Sequence, residues 1–291
     1  MLPKEILKKI RRIEITTSKL VMDFLSGQYE SVFKGRGIEF DEVREYQPGD
    51  EIRSIDWNVT ARTGHPYIKK YVEERQLTVM ILLDASGSSF FGTAGRLKSE
   101  LAAEISAVLA FAATQNKDRV GLIIFTDRIE KFIPPRKGRA HVLRVIREAL
   151  CFKPKGKGTD IELALKYLDG VTARRVVAFI VSDFFVKDFR KSLSISSKRH
   201  DVIAVTITDP REEALPNVGM VELADAETGA LYLIDTSSAS VRNKYSSKAH
   251  TLIEERRRLF NSASVDHIDI LTGKPYIEEF IKFFSRRKKR L

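Results

Sequence analysis

The chain has 291 residues, is 43% hydrophobic and 31% charged, and carries a net charge of +11; this mixture excludes a disordered chain and supplies one large domain or two modest ones. The positive excess is lodged at the ends, with +4 in residues 1–12, +5 in the "RRKKR" run at 286–290 and +2 between them, which excludes a broad basic stripe for nucleic acid. A single cysteine, Cys151, excludes an internal disulfide and fits a reducing compartment.

Residues 4–25 place Ile6, Leu7, Ile10, Ile13, Leu20, Val21 and Phe24 at helical spacing. The next stretch, 35–76, is rich in charge and in turn formers such as Pro48-Gly49-Asp50, and reads as a small irregular module with short strands. Within it Arg44, Asp50, Arg53 and Asp56 look like an internal ion-pair set, and Tyr46 and Trp57 look like packing residues. The texture changes at residue 77. "LTVMILLD" (77–84), "RVGLIIFTD" (119–127), "RRVVAFIVSD" (174–183) and "DVIAVTITD" (201–209) are apolar strands, and "IEKFIPP" (129–135) is a short companion. Helical patterns fall between them, an amphipathic one at 96–115 and others at 140–150, 160–170 and 186–199. This alternation predicts an α/β fold, a mostly parallel sheet flanked by helices on both faces. Residues 219–235 predict a hairpin around Glu227-Thr228-Gly229, followed by a long polar helix at 239–262, a last strand at 265–271 and a last helix at 275–287. The expected division is 1–76, a helix and a small α+β module, and 77–291, the α/β domain, with the hairpin and long helix inserted around 217–262. No apolar run approaches the roughly eighteen residues of a membrane span, and the charged N-terminus lacks an apolar signal core. A cytoplasmic protein with no span of its own is expected, its basic tail a solvated end.

The opening of the α/β pattern, "VMILLDASGSSFFG" (79–92), drives an apolar strand into Asp84 and then into serines. In open α/β sheets ligands sit outside the carboxyl ends of the strands. Asp84 lies at one such end and Asp183 at another, and the loop "KPKGKGTDIELAL" brings Thr159 to a helix start, where Thr159 and Glu162 have capping-box spacing. Asp84, Ser86, Ser88, Thr159 and Asp183 are therefore the candidate metal ligands. Two carboxylates and three hydroxyls are hard oxygen donors and suit Mg²⁺ or Mn²⁺. Because the hydroxyls are neutral, the cation stays electrophilic and an open position would accept a carboxylate from another protein. Asp127 reads as a turn residue near the site and "PPRKGRAH" (134–141) as an exposed loop; His65, His141, His200, His250 and His267 show no metal spacing.

The order Asp84-x-Ser86-x-Ser88, then Thr159, then Asp183 resembles the metal-ion-dependent adhesion site (MIDAS) of von Willebrand factor A domains. The upstream "RGIEFDEVREYQPGDEIRSIDWNVTAR" is similar to the signature of a bacterial family catalogued as domain of unknown function fifty-eight, which is built on such a domain. The resemblance runs from about residue 27 to 235 and more loosely beyond. It implies a von Willebrand factor A-like, Rossmann-type fold and a protein partner, a MoxR-type AAA+ ATPase acting as a chaperone on a client. One departure is Phe184, which follows Asp183 where A domains commonly have glycine.

The resemblance carries no enzymatic activity, and the leading expectation is a non-enzymatic, metal-dependent interaction module. The alternative is a Mg²⁺-dependent hydrolase of phosphatase or nuclease type using the strand-end aspartates. Against it, "DASGS" lacks the second carboxylate of an Asp-x-Asp phosphatase, and no Lys or His general acid is placed nearby by sequence. "KGKGT" (155–159) lacks phosphate-loop spacing, and a nucleic-acid role rests on the tail alone.

Overall fold

The structure, a computed structural model, describes residues 37–74, 77–186, 189–225 and 229–290; the helix expected at 4–25 lies outside them. Contacts divide the chain into a unit of Phe33–Leu77 and a unit that includes Thr78–Leu291.

In the smaller unit β1 (Gly37–Glu45) and β2 (Tyr67–Glu74) pair antiparallel, with a register shift between Phe40 and Glu42. Helix α1 (Trp57–Thr63) lies between them. The Asp56 carboxylate caps it, accepting the N–H groups of Asn58 and Val59 at 3.0 and 3.3 Å, and Gly64 at φ 79° ends it. Of the expected ion-pair set, Arg44 and Asp50 form a two-pronged bridge at 2.7 and 3.0 Å, Asp56 serves as the cap, and Arg53 is exposed. Trp57 does not pack as expected. Capped by Asp56, the helix starts at Trp57 and leaves its side chain 67% exposed.

The larger unit is a six-stranded sheet. Its strands are β3 (Thr78–Asp84), β4 (Arg119–Phe125), β5 (Ile129–Arg136), β6 (Val177–Ser182), β7 (Asp201–Thr208) and, after a two-stranded hairpin of β8 (Met220–Ala224) and β9 (Leu231–Asp235), β10 (Asp266–Leu271). The order is β10-β7-β6-β3-β4-β5, parallel throughout except for the β4–β5 edge pair. Pro134 and Pro135 sit in that edge strand where its pairing with β4 shifts register, between Ile133 opposite Leu122 and Arg136 opposite Val120, the kind of irregular edge position that tolerates a missing N–H. The helices are α2 (Lys98–Gln115), α3 (Arg139–Cys151), α4 (Ile161–Val171), α5 (Arg190–Arg199), the single turn α6 (Pro210–Glu213), α7 (Ala239–Ser262) and α8 (Ile277–Lys288). The mostly parallel, helix-flanked α/β sheet is the fold the apolar strands predict.

Alternation along the strands sorts the core. Met80, Leu82, Ile123, Phe125, Ala178 and Ile180 face one layer with Leu165 and Leu168 of α4, Leu193 of α5 and Phe260 of α7. Helix α2 lies against β3, β4, β6 and β7. It is not the amphipathic helix expected. Ala102, Ala103, Ala107, Ala110, Ala112 and Ala113 are all buried with Leu101, Ile105 and Leu109, because small side chains let neighbours close round the whole helix. Full burial of each such Leu or Ile is worth roughly 1.5–3 kcal/mol. The basic tail is partly tied down as well: Arg287 pairs with Asp201 and Asp266, and Arg290 with Asp266 at 3.1 Å. Among the described residues no helix is long and apolar enough to cross a membrane.

Candidate functional site

The neighbours β3 and β6 sit at the centre of the sheet. The chain leaves β3 toward β4 on one side and returns to β6 on the other, so their carboxyl ends flank the point where strand order reverses. Asp84 ends β3 and Ser182 ends β6. Beyond Asp84 the chain folds back sharply. The Ser86 N–H donates to Asp84 Oδ1 at 2.9 Å, Gly87–Phe90 form one 3₁₀ turn, and the Ser89 hydroxyl donates to the Ser86 carbonyl at 2.7 Å. The turn leaves the Ser86 and Ser88 hydroxyls 3.2 Å apart.

A second loop is fastened to this turn. The Gly87 N–H donates to the Lys157 carbonyl at 2.8 Å. One Glu130 oxygen accepts the N–H groups of Lys155 and Gly156 at 2.9 and 2.7 Å, which fixes the loop from below. Any side chain at position 156 would have to displace its neighbours, since a Cβ there would lie 2.0 Å from Asp127 Oδ1 and 2.2 Å from Thr126 Oγ1. Thr159 is half-buried two residues beyond Lys157. It does not cap α4. The Asp160 N–H is held by the Thr126 carbonyl at 2.9 Å, the helix starts one residue later than the spacing suggests, and the Asp160 carboxylate accepts the Leu163 N–H at 2.8 Å.

Asp183 reaches the same end of the sheet already paired. Its Oδ2 accepts from the Lys98 ammonium at 2.8 Å, and the same ammonium reaches Glu212 Oε1 at 2.5 Å. Lys98 is only 2% exposed. The Asp183 carbonyl accepts from Arg256 Nη1 at 2.9 Å. A space of about 10 Å³, the size of one water, lies among Asp84, Ser89, Lys98, Ser182 and Asp183. Phe184, the departure noted above, has φ 57°. The backbone thus adopts the left-handed conformation that glycine takes without strain. What holds Phe184 there is its buried ring, edge-on to Phe260 at 5.1 Å and 6.0 Å from Phe189, and its N–H bond to the Ser182 hydroxyl at 3.0 Å.

Burial, and next the charge of Asp183, raises the Asp84 carboxyl from 3.8 to about 6, although Ser182 at 2.6 Å and Ser86 donate to it. Burial alone would lower the Lys98 ammonium, but the charges of Asp183 and Glu212 override it and hold Lys98 above its ordinary value. Burial likewise raises Glu212 against the pull of Lys98. The Asp84 shift has a consequence for stability. Between the unfolded value near 3.8 and the folded value near 6 the native state holds a proton that the unfolded chain has lost, so stability falls as pH rises through that window. The full cost at pH 8 is about 3 kcal/mol. In chelator, Asp84→Asn removes that cost and gives back about 1 kcal/mol of hydrogen bonding. Urea unfolding is expected to show the variant about 2 kcal/mol more stable than the parent at pH 8 and no more stable at pH 4; a destabilised variant at pH 8 would contradict the assignment.

A hard cation fits the turn. Asp84, Ser86 and Ser88 present oxygen donors from one short segment, and the ionised Asp84 is an under-compensated buried charge. Among the described residues no group of three or more His, Cys, Asp or Glu is placed to hold a metal, so the hydroxyls would have to carry coordination. Asp183 fits less directly, its Oδ2 being taken by Lys98.

Three charged residues around the candidate site escape a reading of sequence alone. Lys98 had one available signal: a lysine in the first turn of a helix opposes the helix dipole and calls for a local anion. Glu212 has the appearance of a capping residue, and indeed accepts the Asp209 N–H at 2.8 Å. Asp209, just beyond the end of β7, ties two loops together, accepting from the N–H and hydroxyl of Thr93 at 2.8 and 2.5 Å and from the Thr272 hydroxyl at 2.6 Å. Although burial works to raise Asp209, these hydrogen bonds lower it to about 2.

The chain belongs to the family described as "Protein of unknown function DUF58", which it matches over residues 42–255. It is 30% identical to uncharacterized protein Rv1480 of Mycobacterium tuberculosis over 283 residues, 96% of this chain and 89% of that protein. It is 22% identical to uncharacterized protein YeaD of Bacillus subtilis over 180 residues, 62% of this chain and 43% of that one. Among solved structures it is similar to the conserved hypothetical protein BatB of Bacteroides thetaiotaomicron, at 14% identity over 73% of this chain and 99% of that chain, with a TM-score of 0.47.

Proposed function

We propose that this chain is a non-enzymatic protein-docking module whose docking point is a divalent cation, Mg²⁺ or Mn²⁺, held by Asp84, Ser86, Ser88 and Thr159 with Asp183 behind them. The observation that carries this reading is the Asp84–Ser88 turn, which sets two neutral hydroxyls 3.2 Å apart beside a buried carboxylate at the switch point of the sheet. When bound, the cation supplies an exchangeable coordination position for a carboxylate of the partner. The chain's own residues do the rest. Ser182 and the Ser86 N–H orient Asp84, and Glu130 positions the Thr159 loop. Asp183 and Lys98 are locked to each other, which leaves neither available as a proton-transfer group. The partner proposed from the resemblance is a MoxR-type AAA+ ATPase or its client, met in the cytoplasm.

Saturating Mg²⁺ or Mn²⁺, at about a hundred times the dissociation constant, is expected to stabilise the protein by about 2.7 kcal/mol over chelator. In a thermal melt that is a rise of several degrees, absent in Asp84→Ala. A purified MoxR-type AAA+ ATPase is expected to co-elute with the wild type in Mg²⁺ and not in chelator. Equal co-elution with Asp84→Ala would show that the metal is not the bridge.

A further inference from the structure

We infer that Lys98 is a resident cation of this site, one that cancels the charge of Asp183 and thereby sets how weakly the Asp84–Ser86–Ser88 turn holds a divalent ion. The inference rests on the metal-dependent reading above and adds a residue that sets its affinity. The observation behind it is independent of the turn. An ammonium group 2% exposed lies 2.8 Å from Asp183 and 2.5 Å from Glu212, beside a water-sized space that Asp84 also lines.

The charges argue for the role. Asp84 is the one carboxylate of the turn that an entering cation would meet, and Asp183 and Glu212, both held on Lys98, add their charge to the field around it without forming a ligand set with it. Lys98 offsets one of them from inside the protein, and Arg256, 7% exposed and bonded to the Asp183 carbonyl, lies on the same side. A divalent ion therefore meets a site of much reduced negative charge. It binds more weakly than it would beside an uncompensated Asp183 and keeps more of its own charge for a ligand arriving from outside. Lys98 comes from the first turn of α2, Asp183 from the end of β6 and Glu212 from α6 beyond β7. One side chain thus ties the three elements bordering the site, and an ion drawing on Asp183 competes with that tie.

The test is calorimetric titration of Mn²⁺ into wild type, Lys98→Met, Glu212→Gln and Lys98→Met/Ser88→Ala, with thermal melts in chelator and in Mn²⁺ alongside. Lys98→Met is expected to bind Mn²⁺ at least tenfold more tightly than wild type and to show a larger Mn²⁺-dependent rise in melting temperature. Glu212→Gln keeps the ammonium on Asp183, removes one negative charge and is expected to bind several-fold more weakly; it also serves if Lys98→Met fails to fold in chelator. Unchanged or weaker Mn²⁺ binding in folded Lys98→Met overturns the inference and leaves the docking proposal standing. Tight binding that persists in Lys98→Met/Ser88→Ala also overturns it, because the ion would then occupy the vacated place between Asp183 and Glu212. Binding by Lys98→Met but not by wild type upholds the role of Lys98 and removes the metal from the proposed function. Absence of binding in every protein overturns both.

Discussion

Without added metal, Lys98→Met is expected to destabilise the protein by about 3–5 kcal/mol, the usual effect of stripping one partner from a buried ion pair. The side chains of Lys98 and Asp183 are 3% and 4% exposed, so the abandoned Asp183 carboxylate has little access to water. Glu212 is 18% exposed and recovers some hydration, which places the loss toward the lower end of that range. For a domain of this size each kcal/mol moves the melting temperature by about 2–4 °C. Urea unfolding of the two proteins in chelator measures the difference. A loss below about 1 kcal/mol would mean that Lys98 is not the counter-charge of Asp183.

Phe184 carries the second large effect. Phe184→Ala is expected to cost about 3–5 kcal/mol, since the ring is 4% exposed and packs on Phe189 and Phe260. The comparison with Phe184→Gly is more telling. Glycine loses the same ring yet occupies φ 57° without strain, and is expected to be more stable than the alanine variant by about 1 kcal/mol. The expected order of urea midpoints is Phe, then Gly, then Ala. An alanine variant at least as stable as the glycine one would show that the left-handed turn after Asp183 is not imposed by the fold.

These two residues also mark where the sequence is legible. The sheet is written in runs such as "LTVMILLD" and "VVAFIV", too continuous for half-buried strands, and alternating with helices they define a parallel sheet covered on both faces. The turn residues of the site are legible for a similar local reason: Asp84, Ser86 and Ser88 lie within five positions of one another and follow a strand that can end only at the edge of the core. The contributions from elsewhere in the chain are not written locally. Lys98 meets Asp183 across 85 residues and Glu212 across 114, and no periodicity announces such a pairing. Thr159 shows the limit at short range. Capping-box spacing points to it, yet the Thr126 carbonyl, a residue from another strand end, fixes the loop so that Asp160 takes the cap. Trp57 shows the reverse: its type suggests burial, while the Asp56 cap places it at an exposed helix start.

The most direct test of the account is a crystal grown with Mn²⁺ at neutral pH and imaged by anomalous scattering from the metal. One peak is expected about 2.0–2.3 Å from the hydroxyls of Ser86 and Ser88, with the Asp84 carboxylate beside it and Lys98 still on Asp183. No peak at this turn, with Asp84 and Asp183 well ordered, would contradict it.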